Sequence, residues 1–466
     1  MLFNEIFERF VQSSPACVMY RMLLENIFAP EKVDTVFHEA AEAQYERELL
    51  FSTLVDVVGE VACRTANSVH AAYIRHRDRI PVSARAFYDK LSNVEPCTSQ
   101  ALVQHTAGEV RDLIDQTKGC CEPLLEGYRL RILDGNHIGK TEHRLGVLRN
   151  TSAGPLPGQT LAILDPQYMV IEDVICCEDG HAQERSLLDQ ITIQAGDLII
   201  DDRNFCTLAF LFRIMLSKAY FITRQHGRMP WKPHGETRFI GESETGSVYE
   251  AEVEICDPKT GKQAHIRRVT VKLKTPTRDG DREIFILTNL PPEVSAIQVA
   301  EMYRKRWTLE QAFNELTVYL RCEVNTLGYP KAALFSFCVA VCSYNLLAAL
   351  KGVLRGVHGQ DKVASEVSSY HLTDEISTMY GRMMVALPPD EWAGFRTLSP
   401  AELASQLHHI AQTMDLRSYP KYPRGPKKLK AARPNAKFLH VSTARLLNEK
   451  RKKKTPTGCP AAPSGP

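Results

Sequence analysis

Several features are missing from this sequence, and each absence removes a class of protein. No basic start followed by an apolar run opens the chain, because Met1 to Tyr20 carries Glu5, Glu8 and Arg9; a secretory signal is not expected, and a cytoplasmic location is. None of the thirteen cysteines falls in a C-x-x-C spacing, so zinc-ribbon and dithiol redox readings lose their support. The cysteines, including the pairs Cys120-Cys121 and Cys176-Cys177, are expected to be reduced and mostly buried. Long apolar runs are scarce as well. The exception, Ala332 to Leu350, has about the length that spans a bilayer. It contains Ser336, Ser343, Tyr344 and Asn345 and lacks flanking membrane anchors, which predicts a buried core helix and no membrane association. Apolar, charged, Gly and Pro shares lie near globular averages, excluding collagen-like and wholly disordered chains.

Net charge is also nearly absent, at +2 over 466 residues, but its distribution is uneven. Arg417 to Lys454 holds fourteen Lys and Arg against the single acid Glu449, 14 − 1 = +13, so the rest of the chain carries +2 − 13 = −11. Basic charge gathered at one end suits a polyanionic partner, although a tail that only keeps the protein soluble fits the charge equally well. The length exceeds what one compact core holds, so two or three structural units are expected.

Helix patterning runs from Met1 to about Gly119, with Phe37 through Leu54 and Thr65 through His76 spaced at three and four residues, and Pro81 and Pro96 interrupting. This part is either a DNA-contacting arm or a layer packed against the rest of the chain. From Tyr128 the texture becomes strand-like, with a strand ending on Asp134 and two more, Thr160 to Leu164 and Tyr168 to Cys176, around the turn Asp165-Pro166. A short helix at 182–191 and the apolar run Leu198-Ile199-Ile200 come next, the latter suiting a buried parallel strand that stops at Asp201-Asp202. A helix from Thr207 to Lys218 and a strand from Ala219 to Thr223 complete an α/β unit. Between Gly227 and Pro291 the pattern turns to strands at 247–256, 264–273 and 283–288, separated by Asp257-Pro258-Lys259-Thr260-Gly261 and Arg278-Asp279-Gly280-Asp281. Helix patterning resumes from Ile297 through Val318. After Leu416 the Pro-, Gly- and Lys-rich composition predicts little stable fold.

Three acids stand where phosphodiester chemistry could use them: Asp134 and Asp202 at strand ends and Glu310 in the helix after the β-rich stretch. Mg²⁺ takes carboxylate and water oxygens, and two such ions stabilise attacking and leaving oxygens without a side-chain nucleophile. Taken singly, each acid is more simply a solvated surface carboxylate. Tyr303, Arg306 and Glu310 are spaced by three and then four, which places them on one helix face. Such a face suits a phosphate beside a metal; an ordinary amphipathic helix with an Arg306–Glu310 pair explains the spacing too. His137, Lys140, His143 and Arg144 come after the first strand, either facing phosphates or forming a solvated loop.

At these residues the chain resembles the DDE transposases of bacterial insertion sequences, the subgroup with a β-rich insertion before the last catalytic acid. Leu133-Asp134-Gly135-Asn136-His137, then Asp202-Arg203-Asn204-Phe205, then Y-x-x-R-x-x-x-E at Tyr303, Arg306 and Glu310 carry the resemblance. It implies an α/β fold with a ribonuclease-H-like catalytic domain. The corresponding division is a helical N-terminal region at 1–125, the catalytic domain at 126–416 with its β-rich insertion at about 227–292, and a basic tail at 417–466. It implies that Asp134, Asp202 and Glu310 are the catalytic metal ligands, holding two Mg²⁺ ions, with Mn²⁺ as the substitute. Tyr303 and Arg306 would contact transposon-end DNA. Asp202 is preferred to Asp201 because the family's acid directly precedes Arg. Trp231 is the candidate to stack on a displaced base, with core packing as its other reading.

The implied activity is metal-dependent cleavage at transposon ends and strand transfer into target DNA. The implied partners are double-stranded DNA, as inverted repeats and target, and a second copy of the chain when DNA ends are bound. The resemblance also implies a bacterial protein, cytoplasmic and nucleoid-associated on DNA. The sequence departs from the family where a Lys commonly stands seven positions after the Glu: Thr317 is there, and Lys305 or Arg321 are the candidates to replace it. A stand-alone ribonuclease-H-like nuclease and a non-catalytic DNA-binding descendant are the alternatives.

Overall fold

The computed structural model describes residues 5–277, 280–422 and 440–454, without the side chain of Lys454. The chain starts with helices α1 (Glu5–Ser13), α2 (Pro15–Ile27), α3 (Pro30–Ala40), α4 (Phe51–Ala62), α5 (Val69–Arg75), α6 (Ala84–Leu91) and α7 (Pro96–Gln116). Proline opens α2, α3 and α7, where its fixed φ suits the first turn and its missing N–H would have had no partner. Ser68 and Ser83 cap α5 and α6 by accepting the N–H groups of Ala71 and Ala86. The continuous helical pattern expected from Phe37 to Leu54 is interrupted. The Glu95 carboxylate takes the N–H groups of Glu42 and Ala43 and Glu46 takes that of Phe51, holding the connection between α3 and α4 in non-helical form.

The sheet region comprises β1 (Arg129–His137), β2 (Gly154–Leu156), β3 (Gln159–Asp165), β4 (Val170–Cys177), β5 (Asp197–Asp201), helix α8 (Leu208–Leu216), and β6 (Tyr220–Arg224). It continues in β7 (Lys232–Pro233), β8 (Arg238–Glu242), β9 (Gly246–Cys256), β10 (Gln263–Leu273) and β11 (Glu283–Thr288). Two of the expected turn residues before β11, Arg278 and Asp279, lie outside the described residues. The short helix expected at 182–191 is a 3₁₀ segment, Glu184–Gln190. After the sheet come α9 (Ala296–Arg304), α10 (Trp307–Val318), α11 (Pro330–His358), α12 (Gln360–Glu366), α13 (Ser369–Ala386), α14 (Pro400–Thr413), β12 (His440–Ser442) and α15 (Thr443–Lys454).

One mixed sheet has the order β4-β3-β1-β5-β6-β11-β10-β9-β7, with β8 also on β9. β1, β5 and β6 are parallel to one another, whereas β3 runs antiparallel to β1 and β4 antiparallel to β3. Strands β7 to β11 extend this sheet rather than forming a second one, because β11 pairs with β6 through Ile286↔Arg224, Leu287↔Thr223 and Thr288↔Ile222.

Both faces of the sheet are covered along β3, β5 and the middle of β1, where successive side chains alternate between two cores. Ile132 of β1 and Ile200 of β5 enter a core shared with α2, α4, α7 and α11. Leu133 and Ile199 point to the other face, against Phe205, Phe210 and Leu211. The first core includes residues of α2, α4 and α7 together with residues of α11 and α14. The N-terminal helices are therefore continuous with this core, and no break in it coincides with the boundary expected near residue 125. The apolar run expected as a core helix is the centre of α11, whose most apolar 18-residue window is entirely buried inside the protein.

The expectation of little stable fold after Leu416 needs correction over 440–454. β12 pairs in parallel with β2 through His440↔Gly154, Val441↔Pro155 and Ser442↔Leu156. Arg445 of α15 then reaches Asp179, at 2.7 Å. The composition is basic, but Val441-Ser442 is extended and pairs with β2, the two forming a separate two-stranded sheet. Residues 423–439 and 455–466 of the expected tail lie outside the described residues.

Candidate active site

β1 does not end on Asp134. Its antiparallel ladder with β3 continues from Ile132↔Leu164 to His137↔Gln159, while its parallel ladder with β5 stops at Ile132↔Ile200. Asp134 therefore projects past the point where β5 leaves the ladder, and Asp202 directly follows the last residue of β5. Between them lies the carboxyl end of two parallel strands where the sheet order changes direction, a place where α/β sheets commonly bind ligands.

The adjacent Asp201 is in a different position. It shares strand parity with Ile199 and is fully buried, in register with Thr223 of β6. Burial above all pushes its carboxyl well above the usual range, opposed by the Thr223 hydroxyl and reinforced by the neighbouring Asp202 charge. Asp202 instead accepts the backbone N–H of Arg203 at 2.7 Å and the Tyr303 hydroxyl at 3.4 Å.

The helical pattern expected from Ile297 to Val318 is divided. Ser295 and Gln298 form a reciprocal cap at the start of α9, and α9 packs across β6 and β8 to β11 while α10 reaches β1. At the junction the Lys305 and Arg306 N–H groups bond three residues back, to Met302 and Tyr303. Those bonds tighten the chain into a 3₁₀ turn without reversing it. Tyr303, Arg306 and Glu310 consequently remain together. Arg306 donates from Nη1 to Asp134 Oδ2 at 3.3 Å, and its Nη2 forms an ion pair with Glu310 Oε1 at 2.8 Å.

Asp134, Asp202, Tyr303, Arg306 and Glu310 thus form one cluster from β1, the end of β5 and the α9–α10 junction. Burial pushes the Asp134 carboxyl up to about 7; Arg306 opposes this, while Glu310 and Asp202 add to it. Burial also raises Tyr303 well above its ordinary value, reinforced by Asp202, so its hydroxyl keeps its proton. Burial works against the Arg306 charge, but Tyr303, Asp202, Asp134 and Glu310 outweigh it and raise its pKa. The three acids form an all-oxygen donor set of the kind hard divalent cations take. Their ligand atoms do not all lie within 4.8 Å of one another, because the Arg306 guanidinium stands between Asp134 and Glu310.

The remaining sequence candidates lie at different distances from this cluster. Lys305 is exposed on the turn between α9 and α10. Trp231 does not pack in the core: it is 38% exposed, with the Arg268 guanidinium 4.7 Å from its ring. Thr317 bonds back to the Phe313 carbonyl at 2.8 Å within α10, and Arg321 is occupied by the Asn67 carbonyl. His143 contacts the Ala153 carbonyl and Arg144 pairs with Glu142.

Sequence reasoning missed Glu184. Its carboxyl lies where a Cβ on Gly135 would fall, 2.4 Å away, and it approaches Asn204 at 3.5 Å and His137 at 3.7 Å. The glycine after Asp134 was a visible signal for a close approach, but nothing in the sequence indicates that the neighbour comes from 49 positions further along.

Residues 126–346 match a family model described as the transposase DDE domain. A curated relative from Sinorhizobium fredii (strain NBRC 101917 / NGR234), named "Putative transposase y4zB", is 27% identical over 172 residues. That alignment covers 36% of this chain and 47% of the relative, so the chain spans about half the length of the curated relative it matches.

Proposed function

From the premise that this chain is a member of the DDE transposases of insertion sequences, its DDE domain at residues 126–346, we propose that it cleaves transposon-end DNA and transfers the strand into a target. Asp134, Asp202 and Glu310 are the residues that would hold two Mg²⁺ ions, with Mn²⁺ as a substitute. Bound there, such ions supply Lewis-acid stabilisation of the attacking and leaving oxygens. The sheet order β4-β3-β1-β5-β6, with the first three antiparallel and the last two parallel to β1, supports a ribonuclease-H-like reading of the catalytic unit. Strands β7 to β11 are then the insertion before the last acid.

The single observation that carries the proposal is the meeting of five motif residues, with Arg306 bridging Asp134 and Glu310 and Tyr303 reaching Asp202. Arg306 stays charged at any working pH and offers a planar fork that fits two phosphate oxygens. Tyr303 remains a hydrogen-bond donor. Lys305, exposed at the same turn, is the proposed contact to the DNA backbone, and Trp231 presents a face to the solvent at the sheet's outer part. In the first step a water oxygen bonds to phosphorus and the 3′-oxygen leaves as a hydroxyl. In the second, that hydroxyl attacks another phosphodiester, so one P–O bond forms as one breaks. The basic segment after Arg417 supplies salt-sensitive, sequence-independent affinity for DNA, and pairing of two ends calls for a second copy of the chain.

The test is cleavage and joining of a labelled plasmid carrying the flanking inverted repeats in Mg²⁺, comparing the natural chain with Asp202→Ala and Glu310→Gln. Loss of end-specific cutting and joining in both variants, with DNA binding retained, is expected. Variants that cut like the natural chain refute the assignment of these acids. Cutting without joining would favour a stand-alone nuclease.

A further inference from the structure

A second donor cluster lies in the outer strands, away from the acids. β7 continues into His234, whose backbone N–H donates to the Glu252 carbonyl of β9 at 2.9 Å, making the two residues direct cross-strand neighbours. His265 of β10 is in register with Glu254 of β9, so it lies diagonal to Glu252 on the same sheet face. His234, Glu252 and His265 have ligand atoms all within 4.8 Å of one another, and all three side chains are exposed. The imidazole rings stand 4.1 Å apart at 78°, and His265 Nδ1 is 3.6 Å from Glu252 Oε1. Four strand spacings separate β9 from β5, about 19 Å across the sheet, so this cluster is independent of Asp202.

The charges along β9 single out Glu252. Glu250, Glu252 and Glu254 alternate onto one face. Glu250 has Arg267 at 2.6 Å and Glu254 has Lys232 at 3.5 Å. Between them, Glu252 faces two imidazoles, and Arg267 is turned away to Glu250 and the Leu290 and Pro291 carbonyls. Two imidazoles and one carboxylate are a known tetrahedral donor set for Zn²⁺, with water as the fourth ligand. Such a site needs ligand atoms about 3.3 Å apart, given metal–ligand bonds of ~2.0–2.1 Å. Exposed side chains reach that spacing by rotation about their χ angles. The cluster opens onto a cleft of about 550 Å³, which leaves room for the water.

We propose that His234, Glu252 and His265 bind one Zn²⁺ ion that pins the two-residue strand β7 to β9 and β10. One ligand comes from each of three adjacent segments, so the ion ties together an edge otherwise held by a short ladder. The pinned segment begins immediately after Trp231, whose ring Arg268 covers while also stacking over Phe285 at 4.1 Å. Fixing β7 therefore fixes the approach to that aromatic. The proposal does not depend on the transposase reading.

The test uses the tag-free full chain, equilibrated with ZnCl₂ and passed through a desalting column, with zinc measured by atomic emission. One zinc per chain is expected, with retention at least tenfold lower in His265→Ala and in the nearly isosteric Glu252→Gln. The double variant Asp134→Asn/Glu310→Gln should keep its zinc, and circular dichroism checks that every variant is folded. Co²⁺ in place of Zn²⁺ should give the visible ligand-field bands of a four-coordinate ion in the natural chain and not in His265→Ala. No zinc retained by the natural chain, equal retention in the His265 and Glu252 variants, or loss of zinc in the acid double variant would each overturn the proposal.

Discussion

Replacing Arg306 with Gln should strengthen metal binding to the DNA-free protein while weakening catalysis. The guanidinium lies 2.8 Å from Glu310 and 3.3 Å from Asp134, where a cation serving those carboxylates would be needed. Two unit charges about 3 Å apart at an effective dielectric of ~20 attract by ~5 kcal/mol before desolvation. Net values for hydrogen bonds to charged groups fall to about 1.5–3 kcal/mol, and Glu310, with its side chain 45% exposed, belongs at or below the low end because solvent screens it. With all three acids ionised, removing the guanidinium takes the formal charge of the cluster from −2 to −3. A gain of about 1.4 kcal/mol, or roughly tenfold in Kd, is expected for a divalent ion.

The gain should depend on pH with a defined sign. The Asp134 carboxyl is pushed up to about 7, and Arg306 is among the groups that hold it down, so Arg306→Gln raises it further. A proton then competes with the metal, and the tighter binding should be clear at pH 8.5 and shrink at pH 6.5. Calorimetric titration with Mn²⁺, in a His265→Ala background so that only the acidic cluster is read, measures this. End cleavage should fall by roughly 10²–10³, the usual effect of removing a transition-state charge contact. Unchanged or weaker Mn²⁺ binding at pH 8.5 would refute the idea that Arg306 occupies the place of a cation.

Other perturbations test the fold. Asp165 is buried at the end of β3, and burial first, then Glu172, push its carboxyl up to about 6. A folded pKa above the unfolded one favours the protonated fold, so this stability is complete below about pH 4 and is lost as pH rises through 6. Asp165→Asn, which can still accept the Gln167 N–H, should match the natural chain at pH 4 and exceed it by about 1–3 kcal/mol at pH 7.5 in urea unfolding; a larger advantage at pH 4 would contradict the assignment. On α11, a Cβ at Gly356 would lie 2.0 Å from the Thr117 carbonyl oxygen, whereas one at Gly381 of α13 would meet nothing within 4 Å. Gly356→Ala should destabilise by about 1–3 kcal/mol or more and Gly381→Ala should stabilise by roughly 0.5–1 kcal/mol. Thermal unfolding of both variants checks the pair, and equal shifts would argue against the close approach of α11 to the end of α7.

Local periodicity made the elements around the acids legible. Leu198-Ile199-Ile200 could be read as a buried parallel strand because apolar side chains are needed on both of its faces. The Tyr303, Arg306 and Glu310 spacing indicated a shared face that the 3₁₀ junction at Lys305–Arg306 preserves. The extent of β1 was not legible: Asp134 through His137 stays extended because β3 pairs with it, and that partner lies more than twenty residues later. The same holds for β11 joining β6, for β12 joining β2, and for Glu184 filling the space over Gly135. Each depends on what another part of the chain presents to it, and composition at the site itself carries no record of that.

The packing of α2, α4 and α7 against α11 also constrains how the protein is made. The helices that begin the chain share their core with a helix starting at Pro330, more than two hundred residues after α7 ends at Gln116. At about 5–20 residues per second of synthesis, the first helices wait roughly 10–40 s on the ribosome before their partner emerges. During that interval their apolar faces have only one another or a chaperone. Premature termination anywhere before α11 therefore leaves the sheet without one of its covering layers and exposes a surface prone to aggregation. A frameshift anywhere ahead of Pro330 would in this way remove the protein through its folding alone.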